Sequence, residues 1–546
     1  MPNGFMTRRS ALFAGASVLG AAALSRTVLS QEASTVEART TFGRVGGRNE
    51  DGIAKFFGIP YAAPPVGALR FKAPAKPQAW SDIKDASAFG SPAFQVAGAE
   101  MGLQGNGRMP APSEDCLYLN VWTPAADNKR RPVMFYNHGG GFMIGSGAAT
   151  GQDGTNLARL YDVVVVQSNH RLGALGYLWL GDLADGDYAP NAGMLDIQAA
   201  LEWTRENIEN FGGDPDNVMV WGESGGGSKT AAIYTMPAAA PLFHKASIES
   251  AAPLRFPTRE GATERARQTL QWLGLGEGDI AQLQDMPAAR ILEAQEATNA
   301  RGLAPWGNPD DLPGFGAFID GEVITQHPFA DGVASFSKNK PLICGTTRDE
   351  TVFFSSFGPK DIFTLDETGL IEQLSGTFEG DEVNKVIATF RAARPEASPS
   401  QLYFAITTSA IWKDAVKIAE AKVAQGGAPV FMYHLAYQSS VTIPDTDYPI
   451  GSPHAADINI KFANTDKNLD NYMYSDRSPE RLATSQQMSA LWAGFARTGV
   501  PHAHGVVDWP EYDLESRPTM WIDATCRIVE DLDQPERLYW EARDAS

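Results

Sequence analysis

The 546-residue chain is predicted to form an α/β fold: a large, mostly parallel central sheet with helices on both faces and insertions shaping a pocket at one end. Three observations predict it. Short apolar runs recur: "PVMFYNHGGG" from 132, "VVVVQSNHRLG" from 163, "NVMVWGESGGG" from 217, "KASIES" from 245, "PLICGTT" from 341 and "PVFMYHLAY" from 429. Each is followed by turn glycines or a helical pattern. Predominantly apolar runs that do not alternate suit strands covered on both faces, as parallel strands are.

From the N-terminus, residues 1–30 hold Arg8, Arg9 and Arg26, no acidic residue, and an apolar run, Ala11 to Leu24, too short to span a bilayer. That pattern is an export signal, cut near Ser30. "TRRSALFAGA" resembles a twin-arginine signal, although Ala11 stands where an aromatic is common. No later stretch is apolar for long enough to cross a membrane. Residues 31–546 are read as one domain destined for the periplasm or the medium.

Its first part, about 35–110, carries the Pro- and aromatic-rich "FFGIPYAAPPVGALRFKAPAKPQAW", which reads as small strands and turns on the sheet edge. In "NAGMLDIQAALEWTRENIENFGG" the spacing of Leu195, Ala199, Leu201, Ile208 and Phe211 predicts an amphipathic helix that stops at Gly212 and Gly213. Residues about 255–335 and 355–400 read as helical insertions over one end of the sheet, where insertions shape pockets.

A formal charge of −20 repels phosphate backbones, so nucleic acid is excluded as a partner. Cys116, Cys344 and Cys526 lie far apart with no CxxC spacing and read as buried thiols rather than zinc ligands or a disulfide framework. The acidic "GDLADGDY" at 181–188 lacks the spacing and closing Glu of a calcium loop and reads as an exposed turn. Neither metal nor cofactor is expected.

The chemistry centres on Gly222, Glu223, Ser224, Gly225 and Gly226. A GxSxG match alone is weak, with about 0.3 expected by chance at this Gly and Ser content. Here it lies between the strand-like "NVMVW" and the helix-like "SKTAAIYTM", the setting of a nucleophile elbow. "NHGGGF" ends another apolar run with three glycines, whose unobstructed amides suit an oxyanion. The donors expected are the N–H groups of Gly140, Gly141 and Gly225.

A serine needs a base, and the base needs a carboxylate to orient it. Where a nucleophile elbow of this kind is used, the chain order is Ser, acid, His. After the strand-end "RDE" at 348–350 stand His434, His454, His502 and His504. His434 sits in an apolar strand and reads as a core residue; His502 and His504 lie in the turn-like "GVPHAHG". His454, in "IGSPHAADINI", is the remaining choice, and spacing leaves Asp349 and Glu350 open as the acid.

Taken together, "FFGIPYAAPPVGALRF", "SEDCLYLNVWTP", "NHGGGF", "NAGMLDIQAALEW", "NIENFGGDPDNV", "GESGG", "GTTRDE" and "GSPHAADI" resemble, in order, the blocks of the type-B carboxylesterases. That family of carboxylesterases, lipases and cholinesterases has an α/β-hydrolase fold with a gorge. The resemblance covers nearly all of the mature chain. It implies Ser224, Glu350 and His454 as the catalytic set and an acyl-enzyme route for small-molecule esters. It also implies structural roles for Glu114 and Asp115, with Arg70 as the partner of Glu114.

Some positions depart from the family pattern. No Cys precedes Cys116 to pair with it, Gly225 stands where Ala is usual, Ala455 replaces a common Gly, and His170 stands where Tyr is frequent. None removes a catalytic group.

For the substrate pocket, Phe142, Met143, Trp306, Phe353 and Phe354 are candidates as apolar lining, and Arg255, with Arg259 nearby, as a receiver of an anionic acyl group. Two alternatives are a lipase for longer acyl chains and a cholinesterase-like binding protein without activity. The presence of Ser224, Glu350 and His454 argues against the second.

Overall fold

The computed structural model describes residues 34–95, 110–299 and 314–545. The expected export signal and Trp306 lie outside them. Among the described residues fifteen strands are formed: β1 (Ser34–Thr40), β2 (Gly43–Glu50), β3 (Ile53–Pro60), β4 (Lys84–Asp85), β5 (Tyr118–Thr123), β6 (Arg131–Asn137), β7 (Val164–Ser168), β8 (Gly213–Glu223), β9 (Lys245–Glu249), β10 (Leu342–Thr347), β11 (Val430–Leu435), β12 (Ser439–Thr442), β13 (Pro449–Gly451), β14 (Thr519–Ile522) and β15 (Arg527–Val529).

The main sheet runs β1-β2-β3-β5-β7-β6-β8-β9-β10-β11-β14-β15, with β4 beside β2, and β12 pairs β13 separately. From β7 to β14 every pairing is parallel. β1, β2, β3 and β5 form an antiparallel edge, which β4 joins parallel to β2. All six apolar runs of the sequence are strands of the parallel part.

Alternation across the pleat explains why runs such as β6 and β8 are apolar on successive residues. Val218 and Val220 of β8 point into one core and Met219 and Trp221 into the other; β6 divides Val133 and Phe135 from Met134 and Tyr136 in the same way. These side chains are fully buried. Each contributes about 1.5–3 kcal/mol relative to exposure. A polar residue at any of them would face a covered layer.

The helix Ala192–Asn207 forms as predicted, and Gly212 closes the following turn at φ 78°. Its buried face differs from the prediction. Met194, Ile197, Ala200, Leu201 and Trp203 are buried, whereas Leu195 and Ala199 are partly exposed. Apolar residues flank both edges of this face, so several stripes fit the periodicity and packing selects one.

Within the two predicted insertions stand the helices Arg259–Leu273, Ala288–Thr298, Glu367–Leu374 and Glu382–Ala393. Arg70 holds Glu114 with a two-pronged contact, at 2.8 and 2.5 Å, and also donates to the carbonyls of Leu283 and Met286, so it joins the N-terminal segment to the first insertion. Among the described residues no helix is long and apolar enough to cross a membrane.

Candidate active site

β8 ends at Glu223, and the helix Gly225–Ile233 begins two residues later. Ser224 lies between them at φ 57°, ψ −125°, a region that costs a non-glycine residue about 1–3 kcal/mol. Its amide donates to the Glu249 carbonyl at 2.9 Å, which holds the bend against β9. Gly222 is required by close approach, because a Cβ there would lie 2.6 Å from the Asn137 carbonyl oxygen. The chain therefore turns sharply enough to lift Ser224 off the strand.

Glu350 opens the helix Glu350–Ser355 just after β10 and is fully buried. Its Oε1 accepts from the Thr347 amide at 2.7 Å, and its Oε2 lies 2.5 Å from Nδ1 of His454. Asp349 faces elsewhere: its Oδ2 accepts from Gln438 Nε2 and the Ser452 amide, both at 2.8 Å. Glu350 is thus the carboxylate on the imidazole, and Asp349 braces the loop that carries His454.

His454 is buried, and its Nε2 lies 3.3 Å from Oε1 of Glu223, beside the elbow. Burial alone would lower its pKa, but the carboxylates of Glu223 and Glu350 reverse this and raise it to about 9. For Glu350, burial pushes upward, and the contact with His454 and the Thr347 amide hold it below the usual carboxylate value. Burial keeps Glu223 above that value, with His454 opposing.

The triple-glycine loop follows β6. Gly140 and Gly141 adopt φ 84° and 61°, and the Gly140 carbonyl accepts from the Met143 and Ile144 amides, so the loop folds back on itself. Among the described residues the amides of Gly140 and Gly141 have no acceptor, and the Gly225 amide opens a helix, where no intrahelical acceptor exists. A Cβ built on Gly139 would lie 3.6 Å from Ser224 Cβ, which places the loop against the elbow.

The other histidines behave as read. His434 is buried in β11 between Trp412 and Trp521, and burial pushes it down to about 4. His502 and His504 are exposed. All three cysteines are buried and free.

The pocket candidates separate. The Phe354 ring lies 4.8 Å from that of His454 and is partly exposed, and Phe142 is partly exposed against Tyr177. Phe353 and Met143 are buried in the core. Arg255 is exposed, whereas Arg259 is engaged by Asp182, which also accepts from Trp179 and Thr263. Asp182 therefore anchors the turn to Arg259, Trp179 and Thr263.

Beneath the site lies a charged cluster that the sequence reading missed. Lys461, fully buried, holds Glu249 and, at 2.7 Å, Asp457. Glu249 also accepts from Trp492 Nε1 and Ser247 Oγ, both at 2.6 Å, and it pairs in register with Glu223. The spacing of Asp457 and Lys461, four apart on one helix, was the available signal. Lys229, buried one turn into the helix after Ser224, was missed too.

The description "Carboxylesterase family" belongs to the family whose model matches residues 32–540. A para-nitrobenzyl esterase of Bacillus subtilis is 37% identical over 91% of this chain and 97% of its own. A phenmedipham hydrolase of Pseudarthrobacter oxydans is 31% identical over 92% and 98%. In three dimensions, a carboxylesterase of Geobacillus stearothermophilus superposes with a TM-score of 0.78 at 33% identity, covering 92% of this chain and 99% of that one. A match of this length, over a parallel sheet with a serine at its sharpest bend, makes the chain a member of the carboxylesterase family, a carboxylic ester hydrolase of the α/β-hydrolase fold.

Proposed function

We propose that the protein hydrolyses carboxylic esters through an acyl-enzyme on Ser224, with His454 as general base and acid and Glu350 as its orienting carboxylate. The observation that carries this reading is the 2.5 Å contact of Glu350 with His454 Nδ1, with the opposite ring nitrogen turned toward the elbow. Ser224 Oγ attacks the ester carbonyl while its proton passes to His454 Nε2. The imidazolium then protonates the leaving alcohol. Water, deprotonated by the same nitrogen, releases the acid and restores the serine. The amides of Gly140, Gly141 and Gly225 receive the oxyanion in both steps, and loss of one such donor costs about 10²–10³-fold in rate.

Phe142 and Phe354 beside this set favour an apolar, aromatic group on the ester. The names of the two curated relatives, a para-nitrobenzyl esterase and a phenmedipham hydrolase, point the same way. Residues 1–30 support export, and cleavage near Ser30 is expected in the exported protein. Ser224→Ala should fold normally, hydrolyse no p-nitrophenyl or benzyl ester and escape fluorophosphonate labelling. Turnover by that variant at the native rate would falsify the assignment.

A further inference from the structure

The helix that begins after Ser224 carries a lysine where no anion meets it. Lys229 is fully buried, forms no ion pair among the described residues, and donates from Nζ to the His138 carbonyl at 2.9 Å. Its Nζ also lies 5.6 Å from the centre of the Phe142 ring. His138 and Phe142 flank the three glycines of the loop, so one side chain grips both ends of it. The next residue, Thr230, accepts at 3.0 Å from the Asn137 side chain, one residue before His138. Two consecutive residues of the serine's helix thus hold two consecutive residues at the end of β6.

On the far side, the His138 ring stacks on His170 at 4.5 Å and 17°. Phe142 packs edge-on against Tyr177, and its carbonyl accepts from Gly173. A buried ammonium with no carboxylate is costly, and burial lowers Lys229 to about 7. An amine at that position still donates a hydrogen bond when neutral. A lysine kept at such expense is not explained by packing, because a methionine fills the same space without desolvating a cation.

We propose that Lys229 is a positioning residue for ester hydrolysis: by gripping the His138 carbonyl and the Phe142 ring it fixes the triple-glycine loop in register with Ser224. This rests on the reading of Gly140 and Gly141 as oxyanion donors. The nucleophile and the donors sit on different strands, and a displacement of about 1 Å between them costs on the order of 10²-fold in rate. Lys229 touches neither substrate nor Ser224; it acts through the loop.

The test compares Lys229→Met, which removes the donor, with Lys229→Gln, which keeps one. Each is assayed for kcat and KM on a p-nitrophenyl ester, for affinity toward an aryl trifluoromethyl ketone that forms a tetrahedral adduct, and for thermal midpoint. Folded Lys229→Met is expected to lose about 10²-fold in kcat and a comparable factor in ketone affinity, with KM within about twofold, while Lys229→Gln stays within about tenfold of native in both. Native kcat in folded Lys229→Met overturns the proposal. So does a lowered kcat with unchanged ketone affinity in either variant, and so does failure of both to fold, which would make the residue a stability element. If only the Met variant fails to fold, the Gln variant decides: kcat and ketone affinity held near native, or falling together, support the grip. Turnover by Ser224→Ala removes the underlying reading, whereas native kcat in Lys229→Met removes this inference alone.

Discussion

Nε2 of His454 lies 3.3 Å from Oε1 of Glu223, the residue immediately before Ser224. The imidazole is therefore bracketed by two carboxylates, Glu350 on Nδ1 and Glu223 toward Nε2. Against the opposing effect of burial, they raise it to about 9. A general base works when neutral, so kcat/KM should climb as pH rises through that value. Glu223→Gln removes one of the two attractions, and the inflection should move toward acid. Stability runs the other way. His454 binds its proton more tightly folded than unfolded, so its contribution is complete below its unfolded value near 6.5 and is lost as pH rises through about 9. A pH–rate profile and a urea titration at several pH values check both signs; an inflection that stays in place would remove Glu223 from the account.

Gly225 admits the loop that faces it. A methyl group built there would overlap the backbone of Gly141 at its nitrogen, Cα and oxygen. Gly225, which stands where Ala is usual, thus permits the close approach of two backbones. Gly225→Ala should push the loop outward and lower kcat by at least about tenfold with little change in KM. Steady-state kinetics on a p-nitrophenyl ester decide the matter, and an unaltered kcat would mean that the loop yields without moving its amides.

Lys461 is one ammonium between two buried carboxylates. Burial opposes its charge, yet Asp457 and Glu249 hold its pKa above the ordinary lysine value, while Glu249 itself is pushed up, first by burial. Lys461→Met leaves them uncompensated and should destabilise the fold by about 3–5 kcal/mol, read from the urea midpoint. Recovery in a Lys461→Met, Asp457→Asn double variant would show that the unpaired charge, not lost packing, is responsible.

Much of this was legible in the chain. Parallel strands buried on both faces leave uninterrupted apolar runs, so β6 to β11 could be read with no knowledge of their neighbours. Motif and order pointed to Ser224 and His454, and resemblance to Glu350, where spacing alone left Asp349 beside it. Charged residues in the interior were not legible. Lys461 reaches Glu249 across 212 residues, and Lys229 reaches His138 across 91. A lone charge in a sequence reads as solvent-facing until the fold supplies its partner. The helix Ala192–Asn207 failed differently: its existence was certain from periodicity, but with apolar residues on both sides of the stripe, only packing could fix its phase.

Cys116, Cys344 and Cys526 are each sealed from solvent and none is joined to another. Burial pushes all three thiols above their ordinary range, which keeps them from ionising and reacting. The native state therefore needs no oxidant to form and offers no cross-link for a reductant to open. A glutathione-rich compartment and an oxidising one should therefore yield the same enzyme.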